Sequence, residues 1–312
     1  MHQTRSRAAR FLLAVGLFLL VSLGGSACSA GNLSAGGKGD SAGQLAIVAV
    51  ENFYGDLARQ LGGNHVTVTS ILSDPNIDPH EYESNVQNAV AVAQARLVIA
   101  NGGGYDSWID HLLAAAPQQG RIVLKGYDLA PIKLEDNEHV WYSPTDIAAI
   151  ARAIAQALQQ LDPPHASDYK QNLQHFLSSL EQITNKLAEI KARYAGTPIG
   201  LTETIFLYQT TLMGLNVLTP IDFQKAIAEG NDPPASSVVT VESQIQQHRI
   251  RVLIYNEQTA TAITTKVRSE ALAHQIPVVP VSETMPPGKT YQTWMLDQLN
   301  ALETALQKAQ AT

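Results

Sequence analysis

Between Ser167 and Gly196 apolar residues recur in alternating steps of four and three: Tyr169, Leu173, Phe176, Leu180, Ile183, Leu187, Ile190 and Tyr194. This is one stripe of a 3.6-residue period, uninterrupted by Gly or Pro, and it predicts a long amphipathic helix. Ser167, just after Pro163-Pro164, is the expected N-cap, and Gly196 the expected stop. Lys191 and Arg193 sit in the last turn, where the helix dipole favours positive charge. At about 1.5 Å per residue such a helix runs roughly 40 Å, enough to hold two lobes at a fixed separation. A coiled-coil arm, or a long helix packed on one domain, would carry the same stripe.

On both sides of it, short β-rich runs alternate with helical stretches. Leu45–Val50, Val66–Leu72, Arg96–Asn101 and Arg121–Lys125 read as buried strands, with helices at Tyr54–Leu61, Glu83–Ala95 and Asp106–Ala115. Ser143-Pro144-Thr145-Asp146 opens the next helix, Ile147–Leu161, with an N-cap, a first-turn proline and an acid. After the long helix come strands Ile199–Glu203, Asn216–Thr219, Val252–Asn256 and Val278–Glu283. Helices are expected at Leu207–Met213, Val241–Gln247, Thr265–His274 and Thr293–Gln310. The pattern predicts an α/β protein of two parallel-sheet, Rossmann-like lobes, residues 44–163 and 197–312, joined by one long rigid helix at 164–196. In such sheets ligands sit beyond the carboxyl ends of the strands.

Residues 1–27 read as a secretory signal peptide: Arg5, Arg7 and Arg10, an apolar core from Phe11 to Leu23, then small residues up to Cys28. The apolar run is too short for a membrane span, and no Arg-Arg pair points to the twin-arginine route. Cys28 is the only cysteine, placed as in the lipobox of bacterial lipoproteins, although Gly25 stands where Leu is usual. An ordinary cleaved signal with an incidental cysteine is the alternative. Residues 28–43 then form a lipid-anchor cysteine and a Gly/Ser/Ala tether. Loss of the leader removes three arginines and no acids, taking the formal charge from −7 to −10. An acidic chain without a basic stripe is a poor match for nucleic acid and a better one for cations. With no second cysteine, the fold rests on its own core.

The predicted strand ends carry the chemistry. Strand Val66–Leu72 leads into Asp78-Pro79-His80-Glu81-Tyr82, and His139 lies in Glu138-His139-Val140-Trp141 before the capped helix. In the second half, one strand ends at Glu203 and the last at Glu283. Two imidazoles from one lobe and two carboxylates from the other suit a first-row divalent cation. His65, His111, His165, His175, His248 and His274 have no ligand spacing to one another. Asn101-Gly102-Gly103-Gly104 lacks the third glycine of a dinucleotide fingerprint and reads as a tight turn.

The run DPHEYE at 78–83 resembles the first-ligand motif of the metal-binding lipoproteins that serve zinc and manganese ABC importers. The likeness extends through NFYGDLARQLGG at 52–63, NGGGYDSWID at 101–110, EHVWYSP at 138–144, LTETIFLYQTTLMGL at 201–215 and SETMPPGKTYQTW at 282–294. It implies metal ligands at His80, His139, Glu203 and Glu283, with Glu283 where Asp is usual, and it matches Glu257 to a family acid read as structural or supporting. It further implies no enzymatic activity but capture of Zn2+ or Mn2+ between the lobes. The partners implied are the membrane permease of an ABC importer and, through the lipid anchor, the outer face of the cell membrane, with the protein acting as a monomer. The histidines must be neutral to coordinate, so affinity is expected to fall as pH drops through about 6.5. The segment Gly126–Glu138 has acids but no histidine, and zinc and manganese stay open. Two other readings use the same residues: a secreted zinc-dependent hydrolase, needing an open coordination position and a general base, and a receptor for a metal chelate such as a siderophore or haem.

Overall fold

The computed structural model describes residues 43–75, 77 and 79–311. The signal segment, Cys28 and the tether as far as residue 42 lie outside the described residues. In the first half the order is β1 (Leu45–Glu51), α1 (Asn52–Gly62), β2 (Val66–Leu72), α2 (Val86–Gln94), β3 (Leu97–Ala100), α3 (Trp108–Ala115), β4 (Ile122–Lys125), α4 (Gly126–Leu129) and α5 (Pro144–Leu161). The long helix α6 spans Ala166–Tyr194. The second half continues with β5 (Pro198–Leu201), α7 (Leu207–Met213), β6 (Asn216–Val217), α8 (Ile221–Ala228), α9 (Ala235–Gln246), β7 (Val252–Asn256), α10 (Ala262–Ala273), β8 (Val278–Val281) and α11 (Tyr291–Ala311).

Each half builds a four-stranded, wholly parallel sheet, ordered β2-β1-β3-β4 and β6-β5-β7-β8. The two sheets are therefore topological copies. In each the chain reverses direction between the first and third strands, the place where parallel α/β sheets open a crevice at their carboxyl ends. The apolar runs of β1, β3 and β7 are buried because helices cover both faces of each sheet.

The stripe of α6 is the predicted one: Tyr169, Phe176, Leu180, Ile183, Leu187, Ile190 and Tyr194 are buried and Leu173 is half-buried. Each large apolar side chain so buried contributes roughly 1.5–3 kcal/mol. The start of the helix differs from expectation. Pro163–His165 folds into a 3-10 turn that feeds directly into α6, so His165 takes the cap position and Ser167 lies within the first turn. His165 instead stacks on His65, ring centroids 3.8 Å apart, and each histidine bonds an aspartate, Asp162 or Asp168. Past the helix, Gly196 has φ +81°, a left-handed conformation that suits glycine.

The two halves share one hydrophobic core. Phe53 of α1 stacks on Trp141 at 4.7 Å and on Trp294 of α11 at 6.0 Å. Asn52 and Met285 exchange hydrogen bonds of 2.7 and 2.9 Å, and the Tyr291 hydroxyl donates to the Trp141 carbonyl at 2.7 Å. The segments 52–63 and 282–294, far apart in sequence, are thus the two faces of one joint.

Candidate metal centre

The four singled-out donors arrive on four segments. His80 stands on the 3-10 turn Pro79–Glu81 that follows β2, and His139 immediately precedes the turn Val140–Tyr142. Strands β5 and β8 end two residues earlier than predicted, so Glu203 and Glu283 each lie just beyond a strand. Glu203 then caps the turn Thr204–Phe206 with its own carboxylate.

His80, His139 and Glu283 each place a ligand atom within 4.8 Å of the other two. The His80 Nε2 lies 3.3 Å from Glu283 Oε2, and His139 Nε2 lies 3.6 Å from Glu203 Oε1. Glu203 therefore joins from the His139 side, outside the tightest triplet. Side chains of His139, Glu203 and Glu283 are fully buried, and that of His80 is 17% exposed.

A supporting set of neutral side chains, none of them singled out in the sequence, fixes these groups. Asn137 donates Nδ2 to the Thr204 carbonyl at 2.9 Å, which leaves its Oδ1 to accept from His139 Nδ1 at 3.0 Å. The Nδ1–H of His139 is thereby engaged, and its Nε2, which has no hydrogen-bond partner among the described residues, presents a lone pair to the cluster. Tyr105 donates to Glu283 Oε2 at 2.8 Å and packs edge-on against His80. It is delivered by Gly102, Gly103 and Gly104, all at positive φ; a Cβ on Gly103 would meet the Tyr127 ring at 2.8 Å. Asn256, at the end of β7, donates to Glu203 Oε2 at 3.2 Å and to Glu283 Oε1 at 2.8 Å. Gln258 accepts from the Glu283 and Thr284 amides and reaches across to the Ile77 carbonyl at 2.8 Å. Glu257, by contrast, points to solvent; the amides on either side of it take the supporting role.

Electrostatics follow from this crowding. Burial alone would lower the His80 pKa, but the Glu283 carboxylate and its hydrogen bond, with Glu203 and Glu138 behind, raise it to about 10. Burial would raise Glu283, yet the His80 charge, its hydrogen bond and Tyr105 bring it down to about 2. Glu203 is raised by burial and by the Glu283 charge, partly offset by the two histidines. Without metal the centre is a buried imidazolium–carboxylate pair with a second carboxyl beside it. A divalent cation in place of the imidazolium proton would balance the same acids.

Twin parallel lobes closing on a buried imidazole–carboxylate cluster define a two-lobed solute-binding protein with cation-binding chemistry in its crevice. The family model for the zinc-uptake complex component A, periplasmic, matches residues 47–305, and the chain belongs to that family. The high-affinity zinc uptake system protein ZnuA of Bacillus subtilis (strain 168) is 22% identical over 276 residues, covering 82% of this chain and 84% of ZnuA. The manganese-binding lipoprotein MntA of the same organism is 27% identical over 180 residues, 55% of this chain and 56% of MntA. Among solved structures, the solute-binding protein FpvC of Pseudomonas aeruginosa in complex with Mn2+ superposes with a TM-score of 0.71 at 18% identity, over 85% of this chain and 99% of FpvC.

Proposed function

We propose that this protein captures a divalent transition metal, zinc or manganese, on His80, His139, Glu203 and Glu283, and hands it to the membrane permease of an ABC importer. The observation that carries the assignment is the spacing of the donors. A tetrahedral site with bonds of about 2.0–2.1 Å has its donors about 3.3–3.4 Å apart. The 3.3 Å separation of His80 and Glu283 matches that edge, and the 3.6 Å separation of His139 and Glu203 lies just beyond it. The lone pair of buried His139 Nε2, turned inward by Asn137, supports the same reading.

Each lobe brings half of the donor set, so metal strengthens the joint between them. The shared aromatic core and the unbroken α6 favour a small adjustment on release over a wide swing. Anchored through Cys28, the protein would work at the extracytoplasmic face of the membrane as a monomer. A hydrolytic zinc would need a free position and a base, for which four protein ligands would leave little room. The test is calorimetric titration of the metal-free protein with zinc and manganese, for the native chain and for His80→Ala and Glu203→Ala. Loss of affinity in both variants is expected; unchanged affinity in both would end the assignment.

A further inference from the structure

All four carboxylate oxygens of the centre accept a hydrogen bond, Glu283 Oε2 from Tyr105 and Glu203 Oε1 from Thr204 at 2.8 Å each, but the two oxygens turned away from the imidazoles share one donor. The oxygens nearest the imidazoles are Glu283 Oε2, 3.3 Å from His80, and Glu203 Oε1, 3.6 Å from His139. The other oxygen of each, Glu283 Oε1 and Glu203 Oε2, accepts from the same group, the side-chain NH2 of Asn256, at 2.8 and 3.2 Å. The orientation of that amide is fixed independently. Its Oδ1 accepts from the Gln258 backbone N–H at 3.1 Å, and its backbone N–H donates to Thr202 Oγ1 at 3.0 Å, so the NH2 must face the acids. Glu203 Oε2 has a second donor in the Ile205 amide at 3.1 Å, which leaves Glu283 as the carboxylate most dependent on Asn256.

A carboxylate that binds a metal through both oxygens adds a coordination bond, and a shell larger than four favours manganese over zinc. One that keeps its outer oxygen on a hydrogen-bond donor contributes a single bond and fits a four-coordinate zinc. We propose that Asn256 is a specificity-determining residue: by occupying the outer oxygens of Glu203 and Glu283 with one amide, it holds both carboxylates to one bond each and tilts the centre toward zinc. This rests on the reading that the four donors bind the metal.

The experiment uses the full chain, stripped of metal, with Zn2+ and Mn2+ as probes. X-ray absorption of the zinc-loaded native protein is expected to show four light-atom ligands, two of them imidazoles. In Asn256→Leu, with the donor gone, Glu283 turns both oxygens to the metal, the zinc shell grows to five, and the ratio of zinc to manganese affinity falls by about tenfold or more. Asn256→Asp keeps an acceptor for the Gln258 amide and replaces the donor with charge; the same direction is expected, which covers the case in which the leucine variant does not fold. A five- or six-coordinate zinc in the native protein would overturn the proposal. So would an equal loss of both affinities in the variants, the mark of a merely structural amide. If His80→Ala and Glu203→Ala leave zinc affinity unchanged, the metal assignment itself falls. If they abolish binding while the affinity ratio of the Asn256 variants stays native, only the role of Asn256 falls.

Discussion

The first and second lobes solve opposite problems at the centre. The second lobe must keep two acids buried, and it surrounds them with donors: Thr204 Oγ1, the Ile205 amide and Asn256 on Glu203, Asn256 on Glu283. The first lobe presents imidazoles, which need no such cage. His139 donates one orienting side-chain bond, from Nδ1 to Asn137 Oδ1, and His80, on a 3-10 turn, bonds Glu283. Among the described residues the first lobe sends two groups across to Glu283, the Tyr105 hydroxyl and the His80 imidazole. A buried carboxylate without donors costs several kcal/mol, whereas a neutral imidazole needs only to be turned the right way. The acids are therefore the fixed half of the centre, and His80 is the group that must give up a proton when metal enters.

Removing one fixed acid gives the largest effect. An apparent zinc affinity of roughly 10–16 kcal/mol spread over four ligands is about 3 kcal/mol each, so Glu283→Gln is expected to weaken zinc binding by about 100-fold or more. The same change takes away the partner that raises His80, so the His80 imidazole should titrate at a lower pH in the metal-free variant. Competition against a chelator reads the first effect and NMR of the imidazole resonances the second. A native His80 titration in Glu283→Gln would show that the two lobes are not electrostatically joined here.

Proton competition comes next. His80 must lose its proton to coordinate, and Glu283 has moved that event from the ordinary imidazole range to about 10. Zinc affinity is therefore expected to rise about tenfold per pH unit across neutral pH, with one proton released per metal at this site. The earlier window near 6.5 is displaced by the neighbouring acid. The metal-free protein shows the mirror image. The raised His80 contributes stability that is full below its unfolded value of 6.5 and is lost as pH climbs through about 10. The depressed Glu283 contributes stability present above 4.5 and lost as pH falls toward about 2. Thermal stability without metal should thus plateau between about 4.5 and 6.5 from this pair. Titration in buffers of different ionisation enthalpy, between pH 6 and 8, checks the proton count; no release would contradict a charged His80.

The fold was written in the sequence wherever burial dictates residue type. Parallel strands covered on both faces need unbroken apolar runs, and β1, β3 and β7 stand where those runs stand. The Ser143 cap was legible because Ser-Pro-Thr-Asp satisfies the first turn locally, and Ser143 does accept from Asp146. Ser167 failed because Pro163–His165 began to wind before it. The helix α8 was invisible: few of its eight residues, Phe223 and Ile227 among them, bury a large apolar side chain, too short a stripe to show a period. Asn85 and Thr261 moved two other helix starts by reciprocal capping boxes. At the centre, the charged and imidazole donors were legible as residue types at strand ends. Asn137, Tyr105, Asn256 and Gln258 were not, because neutral polar residues acquire a role only from what the fold brings beside them. Asn256 is 53 residues from Glu203 and 27 from Glu283, and no local pattern links them.

The smallest effect separates the loop that carries His80 from the acid wall it meets. Gln258 sits on the second lobe and accepts three hydrogen bonds there, from the Glu283 and Thr284 amides and the Thr284 hydroxyl. Its one remaining polar group, Nε2, crosses to the Ile77 carbonyl, three residues before His80. Gln258→Glu keeps the three accepted bonds and turns the fourth into a contact between a carboxylate and a carbonyl. A net hydrogen bond is worth about 1 kcal/mol, so zinc release to a chelator is expected to accelerate by about fivefold, while the zinc-to-manganese preference set at the carboxylates stays native. The distinction matters because Asn256 and Gln258 lie two residues apart yet act on different halves of the centre: one shapes the acids, the other ties the imidazole turn to them. Stopped-flow release from the two variants side by side measures the separation. A native release rate in Gln258→Glu would mean that the turn bearing His80 holds its place without the second lobe.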